Sequence, residues 1–336
     1  MHPSPAQRAL SGVRLRVVVV ATLLLIAGVA SPVRAASVPT YATLLFAQTQ
    51  VTAGDGCVPV DTGVARLDSV VAPYLASLGM SGTGSVVTDR TLDTTLRCTH
   101  SNETMTASWA DATALAQTYH WSFVSHTATY PGNLSRLTAA RAQAETCGSA
   151  QTLDQHGLPG AHGMIAYPGA QSPPASLQTT YGATCFAWGR QYYWTGVTNA
   201  ATAAATPPYW QTTKGLNGGP CNLSTASCYY ITAVGSTRYN LPAPIVTRIK
   251  SLQPGQWFTL QAYLLVTGTN PTYSNGNTTR WDCTSPDPRL HWTNDNERYC
   301  LSDWQQIVAA IAARPDIVVT DPLTVGVAFG RPATYP

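Results

Sequence analysis

Residues 108–131 read SWADATALAQTYHWSFVSHTATYP, and a change of period inside that stretch decides the fold. From Ser108 to Tyr119 the spacing is helical, with Ser108 and Asp111 placed as a capping box. From Trp121 to Ser125 it becomes a short apolar run of strand length. The same alternation continues in both directions. Downstream, Asn133–Cys147 is Ala-rich and helical, and Gly163–Tyr167 returns to strand. Upstream, Tyr41–Ala47 reads as strand and Ser85–Thr88 as another. Between them Leu67, Val70, Val71, Tyr74, Leu75 and Leu78 recur at helical spacing until Gly79 ends the run as a C-cap. Strands alternating with helices predict an α/β domain with a parallel sheet. Repeated enough times the unit closes into a (β/α) barrel, with functional loops at the carboxyl ends of the strands.

The second half is looser. Ala200–Gly219 is rich in Ala, Thr, Pro and Gly and reads as an elaborated surface loop, within an insertion around 195–230. Cys228–Val234 and Trp257–Val266 are strand candidates. A second insertion, around 268–300, is long and polar and carries Trp281 and Trp292. Ser302–Arg314 predicts a helix opened by Ser302 and Gln305 and burying Trp304, Ile307, Val308 and Ile311. Ile317–Val327 predicts a last strand. No repeat and no Gly/Ser linker divides residues 36–336, so one domain with insertions is expected.

The compartment follows from the first residues. Arg8, Arg14 and Arg16 precede an apolar run from Val17 to Ala30, and Ser31–Ala35 offers small residues for cleavage after Ala35. That layout predicts a secretory signal peptide over residues 1–35. The apolar run is shorter than the roughly 20 residues a spanning helix needs, so no membrane span is expected after cleavage. Four of the 19 basic residues leave with the signal, which leaves 15 against 16 acidic ones and a net charge of −1. A nucleic-acid partner has no compositional support in such a chain.

Eight cysteines remain, an even number in an oxidising compartment, so disulfides are the natural reading. Cys221–Cys228 and Cys283–Cys300 each enclose a short polar loop, and Cys57–Cys98 and Cys147–Cys185 complete the proposed set.

The segment SHTATYP at Ser125–Pro131, the helix before it, and the downstream AYPGA at Ala166–Ala170 together resemble the NodB-like polysaccharide deacetylases. Residues 40–190 and 250–328 carry the resemblance. It implies a distorted (β/α) barrel with disulfide-pinned loop insertions, and metal-dependent removal of acetyl groups from chitin-like or peptidoglycan sugars. In that family one Asp and two His hold the metal, usually zinc. Another Asp serves as base and a late His as acid.

The departures are as informative as the match. Where the family has Thr-Phe-Asp-Asp-Gly, this chain has Leu45-Phe46-Ala47-Gln48-Thr49. The base position is therefore Ala47 and a metal-ligand position Gln48. The first ligand His is retained as His126, the second falls on Tyr130, and the late His position holds Gln261. An amide has no useful pKa for base catalysis, and one imidazole does not make a zinc centre. The resemblance thus implies a lost inherited mechanism, with zinc or another divalent metal only if catalysis persists in altered form.

His126, Tyr130 and Asp55 are the candidates for catalysis, and Gln48 and His126 for metal binding. Each has a plain alternative: a hydrogen-bonded core-edge His for His126, packing on Pro131 for Tyr130, an Asx turn for Asp55. Tyr130, Tyr167, Trp194 and Trp281 are candidate sugar contacts, because flat rings with a polar edge suit sugar faces. No Gly-x-Ser-x-Gly elbow occurs. Three readings stay open: a secreted protein recognising an extracellular or cell-wall glycan, an active deacetylase or esterase with a non-standard site, and a secreted scaffold.

Overall fold

A computed structural model describes residues 39–46, 65, 67–90, 108–168, 177–191, 196–199, 210–211, 221–223, 226–230, 242–262, 264–274, 278–287, 291 and 298–336. The main sheet is α/β and largely parallel. Its first five strands are β1 (Thr40–Phe46), β2 (Thr83–Val86), β3 (Ser122–Ser125), β4 (Met164–Tyr167) and β5 (Trp188–Gln191). Then come β6 (Gly196–Asn199), β7 (Trp210–Gln211), β8 (Cys221–Leu223), β9 (Ala226–Tyr230) and β10 (Gln256–Ala262). Their spatial order is β7-β5-β4-β3-β2-β1-β10-β6-β9-β8, so β7 and β8 form the two ends. From β7 to β10 the pairings are parallel, whereas β6, β9 and β8 add antiparallel. Among the described residues the expected ring is a half-barrel rather than a closed one.

Helices cover the outer face. They are α1 (Ala72–Ser77), α2 (Trp109–Tyr119), α3 (Ala139–Gln143), α4 (Ser149–Gln155), α5 (Pro242–Lys250) and α6 (Leu301–Ala312), whereas α7 (Pro322–Ala328) packs against the interior cluster. The capping box of α2 forms as its sequence predicts: Ser108 Oγ accepts from the Asp111 amide, and the Asp111 carboxylate accepts from the Ser108 amide. Period-2 alternation sorts each strand between two cores. Ala42, Leu44 and Phe46 of β1 face outward with Trp121, Phe123, Trp304, Ile307 and Ile311. Tyr41 and Leu45 face the interior with Val124, Met164, Trp188 and Trp257. Val325 and Phe329, from α7 and just after it, also pack in the interior cluster. The Trp257 indole donates to Thr43 Oγ1 at 3.0 Å, so the interior also holds satisfied polar groups.

Several predicted elements change at their ends. Ser85–Thr88 becomes strand Thr83–Val86 followed by a 3-10 turn, Thr88–Arg90. The Asn133–Cys147 helix breaks into Leu134–Arg136 and a helical run from Ala139 to Gln155, interrupted by a π turn at Ala144–Gly148. Thr138 restarts the run by accepting the Arg141 amide on its side chain. The N-cap of helix α6 is Cys300, two residues before the expected Ser302, and it makes no side-chain cap bond. The predicted last strand stops at Val319 in β15 (Ile317–Val319). Asp321 then caps α7, its carboxylate accepting from the Leu323 and Thr324 amides, and Pro322 stands in the first turn. Proline there has no amide to lose and starts a helix well. That local chemistry outweighed the apolar strand pattern.

The 268–300 insertion contains the hairpin β12 (Thr269–Ser274) and β13 (Thr278–Asp282). It is bracketed by β11 (Leu264–Val266) and β14 (Arg298–Cys300), which pair in parallel. Cys147–Cys185 and Cys283–Cys300 are disulfides, as expected. Cys221 and Cys228 lie directly opposite each other in the β8–β9 hairpin. Cys57 and Cys98 lie outside the described residues, as do residues 1–35. Among the described residues no helix is long and apolar enough to cross a membrane.

Candidate functional site

The carboxyl end of β3 carries the residue on which the site reading turns. Interior-facing Val124 alternates with outward Ser125, whose hydroxyl meets that of Ser149. His126 follows, is 1 % exposed, and donates its backbone amide to Val86 O at 2.7 Å. Its Nδ1 lies 2.6 Å from Ala166 O at the neighbouring strand end. A carbonyl only accepts, so Nδ1 carries a proton, and that bond fixes the orientation of the ring.

The turn beyond it is strained and heavily tied. Thr127 and Tyr130 hold φ of 68° and 59°, a left-handed region that non-glycine residues seldom occupy. Such strain persists only where neighbours over-determine it. Here Thr88 N donates to Thr127 O and Asp89 N to Ala128 O. Glu145, fully buried on the π turn, does the rest. Its carboxylate accepts from Thr129 N at 2.8 Å and Thr129 Oγ1 at 2.6 Å, and its backbone carbonyl accepts from Ala128 N at 3.1 Å. Arg141, four residues earlier, completes the carboxylate's shell at 2.7 Å. The result sets the Tyr130 ring edge-on to the His126 ring, centroids 5.0 Å apart at 83°.

The structure therefore brings His126 and Tyr130 together and separates Tyr167 from them. Tyr167 turns to the outer face, 1 % exposed among Leu134, Cys147, Cys185 and Phe186. Burial pushes its phenol far above its ordinary value. The Cβ of any larger residue at Gly182 would fall 2.6 Å from the Tyr167 hydroxyl, so that glycine is needed for close approach. Gln261 lies on the interior side of β10, two residues beyond Thr259, and is 4 % exposed. Gln48, Asp55 and Trp194 lie outside the described residues, and for Trp281 only the backbone, in β13, is described.

Two polar residues on this edge escaped the sequence reading. Arg190 pairs in register with Ala166 and follows Trp188 at interior spacing, which places it on the His126 side of the sheet, 1 % exposed. Its permanent charge inside an apolar strand was the missed signal. Asp89 is exposed just past β2 and is tied to the turn through its backbone.

Among the described residues at this rim, one imidazole and one phenol are brought side by side, while Asp89 is tied to the turn through its backbone. Zinc centres use three or four protein ligands, and this pair does not fit one. Among the described residues, the grouping of three potential metal donors lies elsewhere, at His291, Cys300 and Asp303.

No protein-family model matches this chain, and no curated protein matches it. Among solved structures, the Streptococcus pyogenes deacetylase PplD in complex with acetate is similar with a TM-score of 0.33 and 13 % identity, over 47 % of this chain and 84 % of that one. So shallow a likeness assigns this chain neither a family nor a chemistry.

Proposed function

We propose that this chain is a secreted protein on a polysaccharide-deacetylase type of barrel that recognises an extracellular or cell-wall glycan, with the inherited metal-dependent hydrolysis lost. The observation that carries this reading is the His126–Tyr130 pair on a strained, over-tied turn at a strand's carboxyl end. Strand ends of that kind are where α/β folds build sites, and stored strain clusters at such sites. The bond from Nδ1 to Ala166 O fixes the His126 imidazole as a wall behind Tyr130. The Tyr130 ring supplies an amphipathic surface beside it. Loss of hydrolysis is supported by Ala47 and Gln48 standing at the two carboxylate positions of the resembled motif. No cofactor is required for recognition of this kind.

The test is retention on insoluble chitin and peptidoglycan, with acetate release measured on the same samples. Wild type is expected to be retained without releasing acetate, and Tyr130→Ala to lose at least about tenfold in affinity, the scale of one buried aromatic contact. Acetate release abolished by His126→Ala would overturn the reading. Asp89 is the observation that favours the second reading, an active deacetylase or esterase, since it places an exposed carboxylate beside the same turn. In that case Asp89→Asn would abolish acetate release as well.

A further inference from the structure

The second insertion brings four potential metal donors to one point. Cys283 and Cys300 are bonded, with Cα atoms 5.5 Å apart. His291 and Asp303 flank Cys300, and the ligand atoms of His291, Cys300 and Asp303 all lie within 4.8 Å of one another. In the oxidised protein this is no thiolate site, because both sulfurs are spent on the disulfide. The remaining two donors already face that disulfide. His291 Nδ1 stands 2.6 Å from Asp303 Oδ2, while His291 Nε2 donates to Ser285 O at 2.9 Å, fixing the ring with Nδ1 turned to the cluster. Metal-binding imidazoles are oriented in this way by a carbonyl on the far nitrogen. Asp303 is anchored in the first turn of α6, and Cys300 is its N-cap. Tetrahedral zinc holds its donors about 3.3–3.8 Å apart, given bonds of about 2.0–2.3 Å, so modest side-chain adjustment suffices.

We propose that reduction of the Cys283–Cys300 disulfide converts this cluster into a zinc site made of two thiolates, the His291 imidazole and the Asp303 carboxylate. A dithiol reductant delivers two electrons and two protons to the S–S bond, leaving two thiols and forming its own disulfide. Zinc then displaces one proton from each thiol and the Nδ1 proton of His291. Nε2 keeps its proton and its bond to Ser285 O. The insertion would thus be closed by a covalent bond under oxidising conditions and by a metal under reducing ones.

The full chain is reduced with dithiothreitol, desalted without air and titrated with zinc sulfate, and separately with cobalt chloride. Reduced wild type is expected to bind one more zinc per chain than Cys283→Ser/Cys300→Ser, and its cobalt form to show thiolate-to-metal charge-transfer absorption. His291→Gln and Asp303→Asn, which keep both cysteines, are expected to weaken zinc binding at least about tenfold. Reoxidation with oxidised glutathione should expel the extra zinc. Equal uptake by wild type and a folded double-serine variant would overturn the proposal. So would zinc binding unmoved by both His291→Gln and Asp303→Asn, or no extra zinc in reduced wild type.

Discussion

The turn at Ser125–Pro131 and the clasp at Asp282–Asp303 each hold a histidine near a strand end, and they hold it differently. His126 meets a carbonyl at Nδ1, which fixes the orientation of its ring. His291 meets acceptors at both nitrogens, a carboxylate at Nδ1 and a carbonyl at Nε2. His291 thus donates through Nε2 and shares a proton with the Asp303 carboxyl through Nδ1. Burial pulls its pKa down, but the bonds to Asp303 and Ser285 and the charges of Asp303 and Asp282 outweigh it, and the net shift is upward. Burial raises Asp303 in turn, with His291 acting against that rise.

The largest expected effect tests the support beneath the turn. Cys147–Cys185 closes 38 residues and ties the helix carrying Glu145 to the chain before β5. Replacing both cysteines by serine is expected to cost about 4 kcal/mol by the loop-closure relation, read from denaturant unfolding. A smaller loss is expected from Glu145→Ala, about 3 kcal/mol, because it strands the bonds of Thr129 and Arg141 around a buried charge site. That variant should also weaken any ligand binding at His126, since the left-handed Thr127 and Tyr130 lose their anchor. A loss of stability with binding intact would separate the two.

The smallest effect concerns the clasp. A histidine whose folded pKa is raised adds stability in full below its ordinary value near 6.5, and loses it as pH rises through the raised value. Stability of the wild type should therefore fall over that window relative to His291→Gln, by about 1 kcal/mol for one charge-assisted bond. Parallel unfolding curves for the two proteins from acid to alkaline pH would show that His291 contributes nothing through its charge.

Much of this architecture was legible in local pattern. The period change at Trp121, the capping box at Ser108 and Asp111, and the short apolar run Tyr41–Ala47 each report a backbone choice made within a few residues. What escaped was set at a distance or by a single atom. Tyr167 looked like a sugar contact from its motif, yet alternation along β4 turns it to the helix side. Arg190 and Glu145 were unremarkable as letters and became structural only once β5 met β4 and the π turn met Thr129. His291 had no recognisable partner in sequence because Asp303 stands 12 residues away, across a disulfide.

By itself, the amino-acid sequence determined the alternation of strands and helices from Tyr41 to Tyr167 and the cap that opens the Trp109 helix, because hydrophobic spacing and caps act over one or two turns. Tertiary structure alone decided the half-barrel pairing, the face on which each strand-end residue stands and the hydrogen-bond partners of His126 and His291. Those depend on which carbonyls and carboxylates distant segments bring within about 3 Å, a distance that no spacing along the chain encodes.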